Sequence, residues 1–449
     1  MSNLVDYRLD QKTAVRIRSF TCFLLFLGMK VLYDFSVWAF SGVLKMASGG
    51  DSKLARLVKG RKPVFDQVTA FRKNFSGEVA WFHVASLGEY EQAKPVIAKL
   101  KQACPAMAVL VTFFSPSGYE NVIKKNQPNV DGVTYLPFDT EGNAKQFLTL
   151  VKPSVVFFVK YDLWANFIFE AKKRNVPLFL FSASLRKEQV YFQFYGGFFR
   201  KVLKCFDHIY TQNVQTQQLL KKIGIPQATV TGDTRYDNVQ SISQSPKVFP
   251  EIEALFKDKK VMVVGSAWQE DMDVLLPFIN SHADYHYIIA PHDIDVGQIA
   301  GWQKQIKHQS IRYSELADNP SKDINVLFID NIGMLSSLYQ YARAAYVGGA
   351  FGKGLHNILE PLAFHIPVLF GKLRKVSKFP EAGISQQYGC GFEVENAEAF
   401  EKIVLALDEK ETYTKAVAAA EQLVRDNLGS ADKIIKGVLN NVQWNKKEG

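Results

Sequence analysis

At 449 residues, with 47% hydrophobic and 22% charged residues, the chain has a globular composition and is too long for one ordinary core. Its 29 glycines and 17 prolines exclude collagen-like and low-complexity architectures, and its four cysteines (Cys22, Cys104, Cys205, Cys390) lack the C-x-x-C spacing of a zinc knuckle or redox pair, which points to a reducing compartment. The net charge of +10 is localised: residues 1–62 hold eleven Lys/Arg against four Asp and the remainder is nearly balanced, which argues against a nucleic-acid protein with a basic stripe over the whole fold.

Residues 1–62 read as a basic membrane-associating segment. The run Phe20–Met29 is apolar, Lys30 and Asp34 interrupt it, and Phe35–Leu44 is again mostly apolar. A clean span needs about 20 predominantly apolar residues, and no A-x-A-like site follows a short apolar core, which argues against a removed signal peptide. An in-plane amphipathic helix fits best, with Tyr33 and Trp38 as interface residues and Lys53–Lys62 facing anionic lipid. A basic helix packed on the domain and a single span are the alternatives.

Residues 63–235 alternate apolar strands with helices. The strands are expected at Val79–His83, Val109–Phe114, Val133–Pro137, Val155–Val159, Leu178–Phe181 and His208–Gln212. A helix over Glu91–Gln102 would tolerate Pro95 only in its first turn. Residues 236–258, polar and carrying Pro246 and Pro250, read as an interdomain connection. A second series over 259–449 places strands at Lys260–Gly265, Tyr287–Ala290, Val326–Ile329, Ala345–Gly348 and Val368–Phe370, then helices over Asn396–Lys446. Strands apolar on both faces belong in parallel sheets covered on both sides. The expectation is therefore α/β, with two facing Rossmann-like domains and a ligand cleft at the carboxyl ends of the strands.

The chemistry-bearing strings do follow strands. Ser86-Leu-Gly88-Glu89-Tyr90 follows the first and opens a helix; Glu89 is either a general base or an acid complementing the helix dipole. Gly348-Gly349-Ala-Phe-Gly-Lys353-Gly354-Leu-His356-Asn357-Ile-Leu-Glu360-Pro361 runs from strand to helix and suits an anion, although it is not a Walker A loop. Glu360 could accept hydrogen bonds from ribose hydroxyls. Gly265-Ser266-Ala-Trp268 is a second possible phosphate cradle, and His292, Asp293 and Asp295 read as solvated loop residues and not as metal ligands. Asp162, in Lys160-Tyr-Asp-Leu-Trp-Ala-Asn166, reads either as an Asx-type loop holder or as a substrate contact.

Together these strings resemble the 3-deoxy-D-manno-octulosonic acid (Kdo) transferases of lipopolysaccharide biosynthesis, glycosyltransferases of GT-B architecture. The resemblance spans roughly residues 60–430. It rests on His83-Val-Ala-Ser-Leu-Gly-Glu89, Thr112-Phe-Phe-Ser-Pro-Ser-Gly118, Asp162-Leu-Trp-Ala-Asn166, Thr231-Gly-Asp-Thr-Arg-Tyr-Asp237 and Asp330–Gly371 with His356-Asn-Ile-Leu-Glu-Pro361. It implies inverting transfer of Kdo from CMP-Kdo to a lipid A precursor at the cytoplasmic face of the inner membrane, in contact with its lipids. Neither a metal nor another cofactor is implied.

By the same resemblance Glu89 is the base, and Ser266, Gly349, His356, Asn357 and Glu360 bind the donor, with Lys353 or Lys372 meeting its phosphate or carboxylate. Acceptor candidates are Ser86 and Gly88 at the turn after the first strand, and Arg186, Arg200 and Lys201 flanking the aromatic stretch Tyr191–Phe199. The chain departs from the family pattern at Leu355, at Ser266-Ala-Trp268, at Lys160 and at Ala165. The rivals are a GT-B enzyme using a UDP-sugar and a lipid-linked acceptor, and a catalytically silent glycan-binding protein.

Overall fold

The computed structural model describes residues 11–46, 50, 52–318, 323–374 and 378–442. Expectations resting on residues 1–10, Asp51 and 443–446, or on the side chains of residues 11–27 (Cys22 among them), Lys45 and Lys53, lie outside the described residues.

Two compact units form, residues 1–234 with 429–449, and residues 235–428. The first holds β1 (Val79–Val84), β2 (Ala108–Phe113), β3 (Gly132–Tyr135), β4 (Val155–Val159), β5 (Leu178–Ala183), β6 (His208–Thr211) and β7 (Ala228–Val230), in sheet order β3-β2-β1-β4-β5-β6-β7. The second holds β8 (Lys260–Ala267), β9 (Tyr285–Pro291), β10 (Ser310–Arg312), β11 (Val326–Phe328), β12 (Ala344–Val347), β13 (Val368–Gly371) and β14 (Gly391–Val394), in order β10-β11-β9-β8-β12-β13-β14. All neighbouring strands are parallel. Strand order reverses at β1/β4 and at β8/β12, where open parallel sheets leave a crevice at the carboxyl ends. The expected strands lie within two residues of those observed. The unanticipated β7, β10 and β14 are all sheet edges; Ala-Thr-Val, Ser-Ile-Arg and Gly-Phe-Glu-Val are only partly buried and carry no two-sided apolar run.

Three expectations need correction. The first helix of the β1 crossover starts at Leu87, so Pro95 lies two turns inside it and removes a backbone donor there. The supposed connection 236–258 contains two helices, Thr234–Gln244 and Pro250–Phe256, whose Tyr236, Val239, Ile252 and Phe256 are buried in the second unit. The chain does not end in the second unit either. Helix Ser430–Asn441 buries Ala431, Ile434, Ile435 and Val438 against Ala80, Phe82, Val155 and Phe157 of the first sheet.

The N-terminal helix Gln11–Met46 docks on the first unit by polar contacts that its sequence displays as interruptions. Lys30 pairs with Asp34 at 2.7 Å and donates to Asn166 Oδ1 at 3.3 Å, while Asn166 Nδ2 donates to Asp34 at 2.9 Å. Tyr33 is therefore not an interface residue: its ring packs on Phe198 and its hydroxyl donates to buried Asp139 at 2.5 Å. Asp139 also accepts from the amides of Asn166 and Phe167 at 3.1 Å, capping helix Ala165–Lys173. The opposite face leaves Val31, Leu32, Phe35, Trp38, Phe40 and Val43 exposed. Among the described residues no helix is long and apolar enough to cross a membrane.

The basic stretch after it is only partly available to a surface. Arg56 pairs with Glu120 at 2.9 Å, and Arg61 is buried. Arg61 donates to the carbonyls of Leu57, Phe114 and Leu136 and lies 4.7–5.2 Å from the ring centres of Phe114, Tyr135 and Phe138. Burial lowers its pKa to about 10. The cation is retained because a guanidinium fork satisfies three carbonyls at once while its plane meets aromatic faces.

Replacing Asp139 by Ala strands two helix amides and a tyrosine hydroxyl. Urea unfolding is expected to show a loss of about 2–4 kcal/mol, with a smaller loss for Asp139→Asn, which keeps one acceptor.

Candidate active site

In the first unit the chemistry gathers where β1 and β4 end. Ser86 is the N-cap of helix Leu87–Ala103 without closing a side-chain cap bond, and Glu89 in the first turn bends back to accept the Ala85 amide. Two effects push the Glu89 carboxyl up to about 7: burial first, then the charge of Asp162. The amides of Ala85 and Ser86 and the charge of Lys160 act in the opposite direction. Above it the surface opens: Leu87 and Gly88 are exposed, and a side chain at Gly88 would meet nothing.

Asp162 neither caps its own loop nor stands free. Its Oδ2 lies 3.1 Å from His83 Nε2 and accepts from Trp164 Nε1 at 2.9 Å. His83 is buried in β1, and its Nδ1 lies 3.0 Å from the Thr112 hydroxyl, which also accepts from Trp81 Nε1 at 2.8 Å. The chain Trp81–Thr112–His83–Asp162–Trp164 thus crosses from strand interior to strand end with its polar atoms partnered, which fixes the Asp162 charge beside Glu89. Lys160, between β4 and Asp162, has φ 61°, a left-handed conformation that costs a side-chain-bearing residue about 1–2 kcal/mol.

The other acceptor candidates fall elsewhere in this unit. Arg186 is exposed, but Arg200 donates to the carbonyls of Tyr191, Gln193 and Phe194 at 3.2, 2.8 and 3.4 Å. Arg200 is therefore a staple of its own loop, and half-buried Lys201 follows it on helix Gly197–Leu203. Of the aromatic stretch, Tyr191 and Phe198 are core.

In the second unit, the turns after β8, β9 and β12 converge. Trp268 stacks on His292 (ring centres 4.2 Å), His292 lies 4.5 Å from His356, and Trp268 Nε1 donates to His356 Nε2 at 3.3 Å. Lys353 Nζ stands 4.0 Å over the Trp268 ring. Burial, then the charge of His292, lower the pKa of His356 to about 4, so its imidazole is neutral near pH 7. With Nε2 accepting, the proton resides on Nδ1, which can donate to an anion. Lys353 belongs to this cluster; Lys372 instead pairs with Glu395 and lines a separate cavity of about 490 Å³ with Glu270, Phe351 and Arg374.

Gly349 is not the phosphate donor its string suggests. Its amide donates to buried Asp271 at 2.9 Å, and at φ 93° a side chain would overlap the Gly354 carbonyl and the His356 ring. Asp271 also accepts from the Trp268 amide and the Tyr346 hydroxyl, both at 3.0 Å, tying the turn after β8 to the turn after β12. Ser266, at φ 54°, is half-buried at the end of β8. Nor is the following helix long: it spans Leu359–Leu362, and Asn357, just before it, accepts the Leu359 amide at 3.2 Å while donating to Glu360 at 3.0 Å. Sequence reasoning assigned no role to His83, Thr112 or Asp271, although each interrupts or follows an apolar strand.

Each unit thus has the α/β form of one half of a GT-B glycosyltransferase. The fold is shared with solved structures at low identity. They include UDP-GlcNAc 2-epimerase from Neisseria meningitidis bound to UDP-GlcNAc (TM-score 0.58, 16% identity, 81% of this chain and 100% of that one) and Acinetobacter baumannii MurG (TM-score 0.53, 12% identity, 81% and 100%). Residues 59–238 match the family model of 3-deoxy-D-manno-octulosonic-acid transferase (kdotransferase). Similar proteins include 3-deoxy-D-manno-octulosonic acid transferases of Haemophilus influenzae (26% identical, 84% of this chain, 92% of that one) and Aquifex aeolicus (28%, 72% and 84%). A bifunctional glycosyltransferase/methyltransferase of Fusobacterium nucleatum is 24% identical over 83% of this chain, which spans 59% of that longer protein. Residues 59–238 thus carry the domain described by the Kdo transferase family model, and similarity to Kdo transferases extends over most of the chain.

The Glu89 carboxyl has a higher pKa folded (about 7) than in the free side chain (4.5), so the fold favours its protonated form. Its burial is tolerated below pH 4.5 and increasingly costly as pH rises through 7. Glu89→Gln should match wild-type stability near pH 4.5 and exceed it by ~1–3 kcal/mol at pH 8 in urea titrations. Equal stability at pH 8 would return the carboxyl to its ordinary range.

Proposed function

We propose that this chain transfers Kdo from CMP-Kdo to a hydroxyl of a lipid A precursor at the cytoplasmic face of the inner membrane. The observation that carries the mechanism is Glu89, a buried carboxylate at the end of β1 whose pKa near 7 matches a general base at neutral pH. In this reading Glu89 takes the proton from the acceptor hydroxyl as its oxygen attacks the anomeric carbon of Kdo. The bond from that carbon to the CMP phosphate oxygen breaks, CMP leaves with the electron pair, and the configuration inverts. CMP is already a good leaving group, so the reading requires neither a metal nor another cofactor.

The second unit supplies donor recognition. Neutral His356 offers Nδ1–H, Lys353 offers charge, and Asn357 with Glu360 offers a fixed donor–acceptor pair for ribose or sugar hydroxyls. Ser266 lies at the adjacent end of β8. Membrane contact is assigned to the outward face of the N-terminal helix, where Phe35 and Trp38 are 60% and 67% exposed, aromatic residues of the kind that settle in the headgroup region. Kdo transferase relatives over most of the chain support the sugar, and the exposed apolar face supports a lipid acceptor.

The direct test is incubation with a tetra-acylated lipid A precursor and either CMP-Kdo or UDP-sugars, with mass counting of added residues. Kdo addition with CMP release is expected; transfer from a UDP-sugar alone would replace the reading with its rival. Glu89→Gln should keep CMP binding and lose roughly 10²–10⁴ in kcat. The wild-type kcat should fall below a midpoint near pH 7 as Glu89 becomes protonated.

Trp268→Ala removes the group that fixes the His356 tautomer and supports Lys353. Calorimetry should show weaker CMP binding with unchanged affinity for the lipid; unaltered CMP binding would move the donor site away from this cluster.

A further inference from the structure

The loop between β5 and helix Gly197–Leu203 is built with unusual economy around one projection. Gln189 accepts the Arg186 amide at 2.8 Å, Gln193 Nε2 donates to the Lys187 carbonyl at 2.9 Å, and the Arg200 guanidinium gathers the carbonyls of Tyr191, Gln193 and Phe194. Gly196 closes the turn so tightly that any side chain there would overlap the Val190 carbonyl. Tyr191 and Phe198, at either end, are buried in the main core. The loop backbone is held at these points on both sides of its tip, yet the tip displays Phe194 at 93% and Tyr195 at 54% exposure, edge to face at 5.2 Å.

A flexible loop would fold two such rings back onto apolar surface; this one is prevented from doing so. Burial of a phenylalanine ring in an apolar medium is favourable in proportion to the apolar area removed from water, a gain that the isolated chain forgoes. The surroundings indicate the occupant. Residues 186–201 carry Arg186, Lys187, Arg200 and Lys201 against the single acid Glu188. Arg186 and Lys187 are exposed beside the tip, an aromatic point with a basic rim that complements anionic lipid headgroups. Helix Gly197–Leu203 also carries Phe198 and Phe199, on which Tyr33 of the N-terminal helix packs at 5.3 and 6.3 Å. The loop and the helix with the exposed apolar face are thus adjoining elements of one unit.

We propose that the Phe194–Tyr195 tip is a lipid-inserting wedge, a second contact with an anionic bilayer that acts beside the N-terminal helix and fixes how the first unit is turned on the membrane. This rests on the membrane reading above, and the experiment separates the two. The full-length chain is sedimented with vesicles of phosphatidylethanolamine and phosphatidylglycerol, alongside Phe194→Ser/Tyr195→Ser and Phe35→Ser/Trp38→Ser. The tip variant should bind about tenfold or more weakly than wild type, with circular dichroism unchanged because both side chains are exposed. Phe194→Trp should add a blue-shifted emission component, relative to wild type, that brominated lipids quench.

Wild-type-like binding of the tip variant overturns the wedge and leaves the helix as the membrane contact. So does a Phe194→Trp variant that sediments with vesicles while its added emission escapes quenching. Loss of binding by the helix variant alone would do the same. If wild type fails to bind vesicles of any charge, the membrane reading itself falls, and the wedge with it. A concentration-dependent blue shift without lipid would assign the tip to a second copy of the chain and equally overturn the proposal.

Discussion

Parallel strands covered on both faces leave no room for chemistry inside the sheets. All residues of β1, β2, β4 and β5 are buried, so a polar group there must be fully partnered or absent. Reactive side chains are therefore pushed to the carboxyl ends, where loops meet helix N-termini. Glu89 illustrates the consequence: one turn into its helix it is still close enough to the strand end to accept the Ala85 amide, yet sufficiently buried for its charge to be costly. An exposed glutamate would be a weak base at its ordinary pKa; burial, with the charge of Asp162 nearby, moves this one toward neutrality.

The polar groups that do enter the interior act as rigid spacers between strand ends. His83 and Thr112 carry hydrogen bonding from inside β1 and β2 out to Asp162, and Asp271 does the same between the turns after β8 and β12. Asp271 alone satisfies groups from two different connections, so both of those turns are fixed by one site. Asp139, buried beneath the N-terminal helix, likewise joins that helix to helix Ala165–Lys173. The motif Asp162-Leu-Trp-Ala-Asn166 can then be understood physically: its first and third residues hold His83, and its last holds Lys30 and Asp34.

Legibility in the sequence followed burial. Central strands announced themselves as two-sided apolar runs, while β7, β10 and β14 did not because an edge strand need not be apolar on both faces. The return of helix Ser430–Asn441 to the first unit was invisible because its apolar stripe specifies a helix facing some core without saying which. Lys30 and Asp34 looked like charges marring a membrane helix and are its docking contacts; Arg61 looked like a surface cation and is buried. Long-range partners decide both cases, and local pattern does not contain them. Glu89 and the Lys353–His356 string were legible because they sit immediately after strands. The surrounding loop geometry was not: Gly349 gives its amide to a carboxylate 78 residues away.

The proposed role of Glu89 as a base poised near neutrality depends on its burial beside Asp162. It is tested most directly by titrating that carboxyl itself, through carboxylate infrared difference spectra of the wild type against Glu89→Gln from pH 4 to 9. A carboxyl that titrates near pH 7, and lower when Asp162 is replaced by Asn, is the predicted result. Ionisation near 4.5, unmoved by that replacement, would leave Glu89 an ordinary carboxylate and remove it as a base poised at neutral pH.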